Sequence, residues 1–415
     1  MITLIEALRY RSLLYVKQPI GGFHVLVGPN ASGKSTFLDT IAFLGRLVSD
    51  GLEAAVRERS ENFYDLVFKR HENESFQLAV EADIPDEKRK LLKEPDFRAV
   101  RYEVEIGTDS DTGELKLIHE KVLLKRTAER LLTPRTLFPM PAPPPASILS
   151  TTSTKAKAII KKQPTGNDNF YPETGEGYAP TFKLGPRKSA LGNLPEDESK
   201  FPVSTWLKQL LINGVEQLVL NSALIRRASP PQQTRGFRAD GSNLPWVIAD
   251  LRKRTPAKYA AWLAHVRTAL HDVEEVLVRE RPDDRHSYLV IRYASGYEVP
   301  SWMVSDGTLR MLALTLLPYL PAFSGLYLIE EPENGIHPRA VETVYESLSS
   351  VYTAQILLAT HSPVILSIVD STQVLCFAKT HDGATDIVRG DLHPALRSWK
   401  HEVSLGELFA GGVLG

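Results

Sequence analysis

Gly28-Pro29-Asn30-Ala31-Ser32-Gly33-Lys34-Ser35-Thr36 fits the pattern G-x-x-x-x-G-K-[ST]. An apolar run, Phe23-His24-Val25-Leu26-Val27, precedes it and reads as a buried strand. The spacing over Thr36–Leu44, with Phe37, Leu38, Ile41, Phe43 and Leu44 apolar, predicts a helix. Strand, glycine loop and helix together make a phosphate-binding device: the loop's N–H groups surround an anion at the positive end of the helix. Lys34 then reaches the β- and γ-phosphates of a nucleotide, and Ser35 ligates Mg²⁺. The expected nucleotide-binding set is Asn30, Ala31, Ser32, Gly33, Lys34, Ser35 and Thr36.

The 415 residues can bury one large core or two modest ones. The formal net charge is −1, so no global attraction to nucleic acid or membrane follows; contact with nucleic acid needs a local basic patch. One cysteine, Cys376, excludes an intrachain disulfide framework and a zinc cluster and fits a reducing compartment. The first residues lack a charged n-region and a cleavage site, and no run of about 18 apolar residues is present. A cytoplasmic protein is expected.

Strands are expected over 2–8 and 12–16, with Arg9 and Arg11 near the turn, and a second helical stretch over Glu53–Arg59. Period-two alternation over Phe76–Ala82, Ala99–Ile106 and Leu115–Leu123 predicts half-buried strands of an antiparallel sheet. Asp109–Glu114 begins like a calcium loop but lacks its flanking helices and twelfth-position Glu, so it reads as a hairpin turn. Twelve of the 28 prolines fall between Pro134 and Pro202. That composition predicts an insertion that is extended or partly disordered, with the basic stretch Thr154–Lys162 a solvated tether. Helices are expected over 203–224, from Leu244-Pro245, and over Tyr259–Val278. Strand-like segments follow at Ser287–Tyr293 and Tyr297–Met303.

A second buried strand, Phe323–Ile329, ends in Glu330-Glu331-Pro332-Glu333. Carboxylates at the C-terminal edge of a parallel strand are where a phosphate-loop sheet needs them, one on Mg²⁺ and one on the attacking water. A third strand, Ala354–Thr360, ends in His361. Ser305-Asp306-Gly307-Thr308 opens a helix, with Ser305 as N-cap, and such a start can hold an anion. An S-x-x-E capping box at Ser404–Glu407 starts an apolar tail expected to dock on the core.

Phosphate loop, S-D-G-T, E-E-P-E-N-G-I-H-P and A-T-H-S-P, in that order, resemble the ABC-type ATPases of the RecF, SMC and Rad50 branch. The set is most similar to stand-alone ATPases allied to overcoming-lysogenisation-defect and abortive-infection proteins. The resemblance covers roughly residues 1–130 and 200–415. It implies an α/β P-loop NTPase of ABC-ATPase type with an antiparallel β subdomain and a helical lid. The expected divisions are ATPase lobe I at 1–133, the insertion at 134–202, a helical subdomain at 203–285 and ATPase lobe II at 286–415.

The resemblance further implies Glu330 as the Mg²⁺-binding acid, Glu331 as the catalytic carboxylate and His361 as the switch histidine. Ser305, Asp306, Gly307 and Thr308 would be the signature that meets ATP on a second copy, giving a head-to-tail dimer. Asn334–His337 would form the loop at that interface, and Arg9 or Arg11 would approach a phosphate. Glu330 stands where the family usually has Asp, which extends the carboxylate by one C–C bond, about 1.5 Å. No Q-loop is evident; Gln77 reads as a strand residue. About 54 residues follow His361, too few for the TOPRIM nuclease that relatives carry, so any nuclease or effector would be a separate chain. The implied function is an ATP-hydrolysing dimerisation switch, with ATP and Mg²⁺ as ligands, serving nucleic-acid processing or phage defence, with DNA a candidate partner. The alternative is the nucleotide-binding subunit of an ABC transporter, against which S-D-G-T and the large insertion stand.

Overall fold

The computed structural model describes residues 1–70, 74–109, 111–127, 135–151, 156–163, 166–175, 177–195, 197–234, 236–321, 323–396 and 404–412. Pro134, Thr154, Lys155 and Ser110 of the segments discussed above lie outside them. The chain divides into two compact units, residues 1–215 with 371–400 and 412–415, and residues 216–370 with 401–411.

The first unit is built on an eight-stranded antiparallel sheet. From one edge its strands run Leu13–Pro19, Ile2–Tyr10, Ser75–Asp83, Ala99–Thr108, Leu115–Lys125, Ala156–Lys162, Asp168–Phe170 and Thr181–Phe182. The expected hairpin turn joins two of them: Asp109 Oδ1 accepts from the N–H groups of Asp111 and Thr112. The phosphate-loop strand Phe23–Val27 lies elsewhere in this unit, parallel to Val374–Lys379, which pairs antiparallel with Thr385–Arg389. The loop leads into a 17-residue helix, Lys34–Asp50, whose apolar side is buried at Phe37, Leu38, Ile41, Phe43, Leu44 and Leu47. Phe37 packs edge-on against Phe377, and Tyr10, Phe43 and Phe76 form an aromatic cluster between helix and sheet.

Two of the three alternating strands, Ser75–Asp83 and Ala99–Thr108, are not half-buried as expected, whereas Leu115–Lys125 keeps a partly buried face. Both faces of Ser75–Asp83 are covered; the polar face carries buried Glu6, Gln77, Glu81, Arg101 and Glu103, and Glu120 is buried on the opposite face beside Tyr102. The Pro-rich insertion does the covering, and its described residues are ordered against the sheet. Gln77 Oε1 accepts from Ser147 Oγ and Ile148 N at 3.0 and 2.8 Å. Glu103 accepts from Ser150 N and Oγ, and Glu120 from Ser189 Oγ, Ala190 N and Leu191 N. Glu173 caps the helix Pro202–Asn213 through the Val203 and Ser204 amides. The described part of the basic stretch is a strand rather than a tether, and Lys162 is buried against Asp168 at 3.0 Å. These residues order through long-range polar partners, a route that composition does not reveal.

Two helices end earlier than expected. The helix over 203–224 stops at Asn213, because Gly214 follows and Val215-Glu216-Gln217-Leu218 has the alternation of the strand it forms. The helix predicted to reach Val278 stops at Ala269, and the β-branched run from Val273 begins a strand, Val273–Glu280. That strand pairs antiparallel with Ser287–Tyr293, which pairs with Glu298–Pro300; Ser301–Met303 is a 3₁₀ turn rather than strand.

In the second unit Leu326–Glu330 lies parallel to Gln355–Ala359. The helices Asp306–Leu316, Pro256–Ala269 and Pro338–Ser349 accompany them, with Trp262 fully buried and its Nε1 donating to Thr315 Oγ1. The capping box at Ser404 is formed, and the short helix Leu405–Ala410 docks on the helix Pro363–Ile368. Among the described residues no helix is long and apolar enough to cross a membrane.

Candidate nucleotide site

The phosphate loop is held by side chains that local pattern does not reveal. Thr385 Oγ1, fully buried, donates to the Ser32 carbonyl at 2.9 Å and lies 3.0 Å from Ser12 Oγ. Gly33 sits at φ +104° directly beneath it; a Cβ there would fall 2.2 Å from Thr385 Oγ1. Only glycine therefore fits the residue that turns the loop into the helix. Lys34 is buried, and its Nζ donates to the carbonyls of Gly28 and Pro29 at 2.7 and 2.9 Å, so the loop curls around the ammonium. No side chain caps the helix and no acid stands in its first turn, which leaves its positive end unneutralised. Ser32 Oγ is buried without a hydrogen-bond partner and lies beside Gly28. An orphaned hydroxyl, an uncapped helix start and a tightly turned loop are what a triphosphate requires, and the residues fit it.

The strand before the loop is fixed by His24. Its Nδ1 meets the Gln373 carbonyl at 3.1 Å while Nε2 accepts from Gly21 N at 2.8 Å, a pair that uses the neutral ring. Burial accordingly holds its pKa below the usual value. Cys376, on the neighbouring strand, is fully buried, and burial pushes its thiol up to about 12. Arg9 and Arg11 both take left-handed backbone, φ +60° and +50°. Arg11 pairs with Asp39 on the loop helix at 3.2 Å, and Asp39 also takes Tyr10 Oη and Arg59 Nε. In the sequence Asp39 reads as one more polar helix position, and no local signal singles it out.

The second unit brings the remaining residues into one cluster. Glu330 ends its strand, and Glu331 turns out of it at φ +47°, a left-handed conformation rare for a residue other than glycine. Glu331 N still donates to the Ala359 carbonyl at 2.8 Å, so the two strand tips stay together. Asn334 Nδ2 donates to Glu331 Oε2. Glu333 crosses to the histidine strand: Oε1 accepts from Thr360 Oγ1 at 2.6 Å and from His361 N at 2.9 Å. The ring of His361 lies 6.3 Å from that of Phe409, on the docked tail.

Ser305 caps the next helix, its Oγ accepting from Thr308 N at 3.2 Å. Gly307 lies flat against the turn after the acids; a Cβ there would be 2.1 Å from the Gly335 carbonyl. The S-D-G-T start and the Asn334–Ile336 turn are thus in backbone contact. Glu333 is visible in the E-E-P-E string, but nothing local marks it as the tie between two strands. Asp386 is a buried strand residue accepting from Met140 N at 2.7 Å.

These features belong to the P-loop ATPases of the ABC type. Residues 23–367 match the family described as "AAA domain, putative AbiEii toxin, Type IV TA system", and the chain belongs to that family. Its fold is that of an SMC head. It is similar over 93% of its length, with 14% identity and a TM-score of 0.51, to 96% of an SMC head bound to the C-terminal winged-helix domain of ScpA. With the same identity and TM-score it is similar over 96% of its length to 98% of an SMC head with an extended coiled coil from Pyrococcus furiosus, bound to the C-terminal domain of ScpA. No curated protein matches the sequence.

Proposed function

We propose that the chain is an ATP-hydrolysing switch in which two copies close head-to-tail around Mg-ATP. The observation that carries the proposal is the pre-assembled cluster of the second unit, where Glu333 and Asn334 hold His361 and Glu331 while Gly307 seats the S-D-G-T helix start against Gly335. The roles follow the chemistry of each group. The loop amides and Lys34 bind the phosphates, and Ser35 and Glu330 would hold Mg²⁺, which supplies charge neutralisation at the transferred phosphoryl group. Glu331 orients and deprotonates the water that attacks the γ-phosphorus; the bond to the ADP oxygen breaks, and ADP and phosphate leave. His361 and Arg9 or Arg11 face the charge that develops, and Ser305–Thr308 of a second copy completes the site. Opening and closing would drive a separate effector in nucleic-acid processing or phage defence.

Two variants test this. Lys34→Ala is expected to lose ATP binding. Glu331→Gln is expected to bind ATP, hydrolyse it about 10²–10⁴-fold more slowly, and accumulate as a dimer by light scattering under saturating Mg-ATP. A Glu331→Gln protein that turns over normally removes the catalytic role, and one that stays monomeric removes the dimer.

A further inference from the structure

A second concave site opens in the second unit, a pocket of about 610 Å³ lined by Arg226, Arg227, Arg281, Trp302, Asp306 and two alanines. Its size is that of a small-ligand site. Three guanidiniums line it against a single carboxylate. That carboxylate, Asp306, is taken by Arg226, whose Nη2 lies 2.9 Å from Oδ1 and also donates to the Val304 carbonyl at 2.8 Å. Arg226 Nε is buried without a partner. Arg281 is exposed and pairs only loosely, with Asp284 at 3.7 Å. The local balance is therefore strongly positive on a chain whose formal net charge is −1.

Beside the arginines runs an aromatic row. The Arg281 guanidinium stacks over Tyr288 at 6.0 Å, and the Tyr288 ring lies 5.0 Å from that of Trp302. Trp302 is 47% exposed and its neighbour Met303 71%. A half-exposed indole beside exposed guanidiniums offers a π-face and anion donors in one place. That pairing suits a base with its attached phosphate. A base buried in a duplex stack cannot reach such a face, whereas an unstacked one can.

We propose that this pocket takes one nucleotide unit of a single-stranded nucleic acid. The base stacks on Trp302, and the adjoining phosphate is held by Arg227 and Arg281. The site shares no residue with the phosphate loop, but Asp306 belongs to the helix start that, in the function proposed above, meets ATP on a second copy, so the pocket is open only while two copies are not closed around ATP. Nor does it follow from net charge, which is −1; it rests on this local cluster of arginines.

The test uses the full chain carrying Lys34→Ala, without ATP, titrated with a fluorescein-labelled 20-nucleotide oligo-dT and followed by anisotropy. Binding is expected, weakening as salt rises. Adding Trp302→Ala should cost about tenfold in affinity, and Arg227→Glu with Arg281→Glu more than that, with circular dichroism unchanged in both. Trp302→Phe in place of Trp302→Ala should recover most of the loss, because a ring face is restored. No binding of oligo-dT, equal affinity in all variants, or preference for a duplex of the same length would each overturn the proposal. None of these outcomes bears on ATP hydrolysis, which Glu331→Gln reports separately.

Discussion

The phosphate-loop segment and the insertion that follows the antiparallel strands are ordered by opposite means. In Phe23–Asp50 the information that places the strand, the loop and the helix is local: an apolar strand, the two loop glycines and a 3.6-residue apolar period. In 135–202 almost nothing is local. Its described residues are held by Gln77, Glu103 and Glu120, which stand on strands far away in sequence, and by Arg101, whose Nη2 donates to the Ile148 carbonyl at 3.0 Å. A segment with too little apolar surface for a core can still order when a sheet presents buried carboxylates and amides to its backbone.

The largest test of that difference is Arg101. It is buried among three carboxylates, with Glu6 at 2.7 Å, Glu103 at 2.8 Å and Glu81 at 3.3 Å. Burial works against its charge, but the carboxylates outweigh burial and hold its pKa above the usual value. Arg101→Leu leaves those carboxylates facing one another in a dry layer. Breaking a buried pair from one side costs about 3–5 kcal/mol, so the variant should unfold at markedly lower denaturant or fail to accumulate folded. Loss of less than about 1 kcal/mol by urea titration would mean that water reaches the layer and that the insertion does not seal it.

Gln77→Leu is the milder probe, because the side chain is neutral. It removes the acceptor of Ser147 Oγ and Ile148 N and leaves a buried amide unpaired, at about 1–3 kcal/mol. Its informative readout is local. Amide exchange should quicken at Ile148 and its neighbours while the Lys34–Asp50 helix keeps its protection. Uniform loss of protection would show that the insertion and the loop helix unfold as one.

The same contrast sets what can be read in advance. The phosphate loop, the acid strand, the histidine strand and the Ser305 cap are local patterns, and each forms at its expected place. The residues that hold these elements are not legible. Thr385 and Glu333 act across long sequence separations, and a single sequence carries no sign of such pairs. The alternating strands form where the pattern places them, but alternation records only that two faces differ. It does not say that the polar face meets solvent, and here it meets another layer of the chain. The two overlong helices share a cause. Apolar residues of Val215–Leu218 and Val273–Glu280 happen to continue a helical spacing, while the turns at Gly214 and Asp272 are the stronger signal and end the helices there.

The smallest expected effect separates the loop segment from the insertion by pH. His24 anchors the phosphate-loop strand in its neutral form, and burial lowers its folded pKa beneath the unfolded value of 6.5. The folded state then binds fewer protons than the unfolded chain, so stability from this group is fully present above pH 6.5 and declines as pH falls below it, toward the folded pKa. His265 and His393 are lowered by burial too and add slope in the same direction. Unfolding midpoints measured between about pH 7.5 and 5 should therefore fall on the acid side, each unit of pKa difference being about 1.4 kcal/mol at most. In His24→Asn, whose side chain does not titrate in this range, the slope should shrink while the contributions of the other two histidines remain. The Gln77→Leu slope should match the parent, since the insertion's contacts with Gln77 involve no group that titrates there. An unchanged slope in His24→Asn would mean that folding leaves the proton affinity of this ring unaltered, and a buried Nε2 that accepts from Gly21 N would then have to be abandoned.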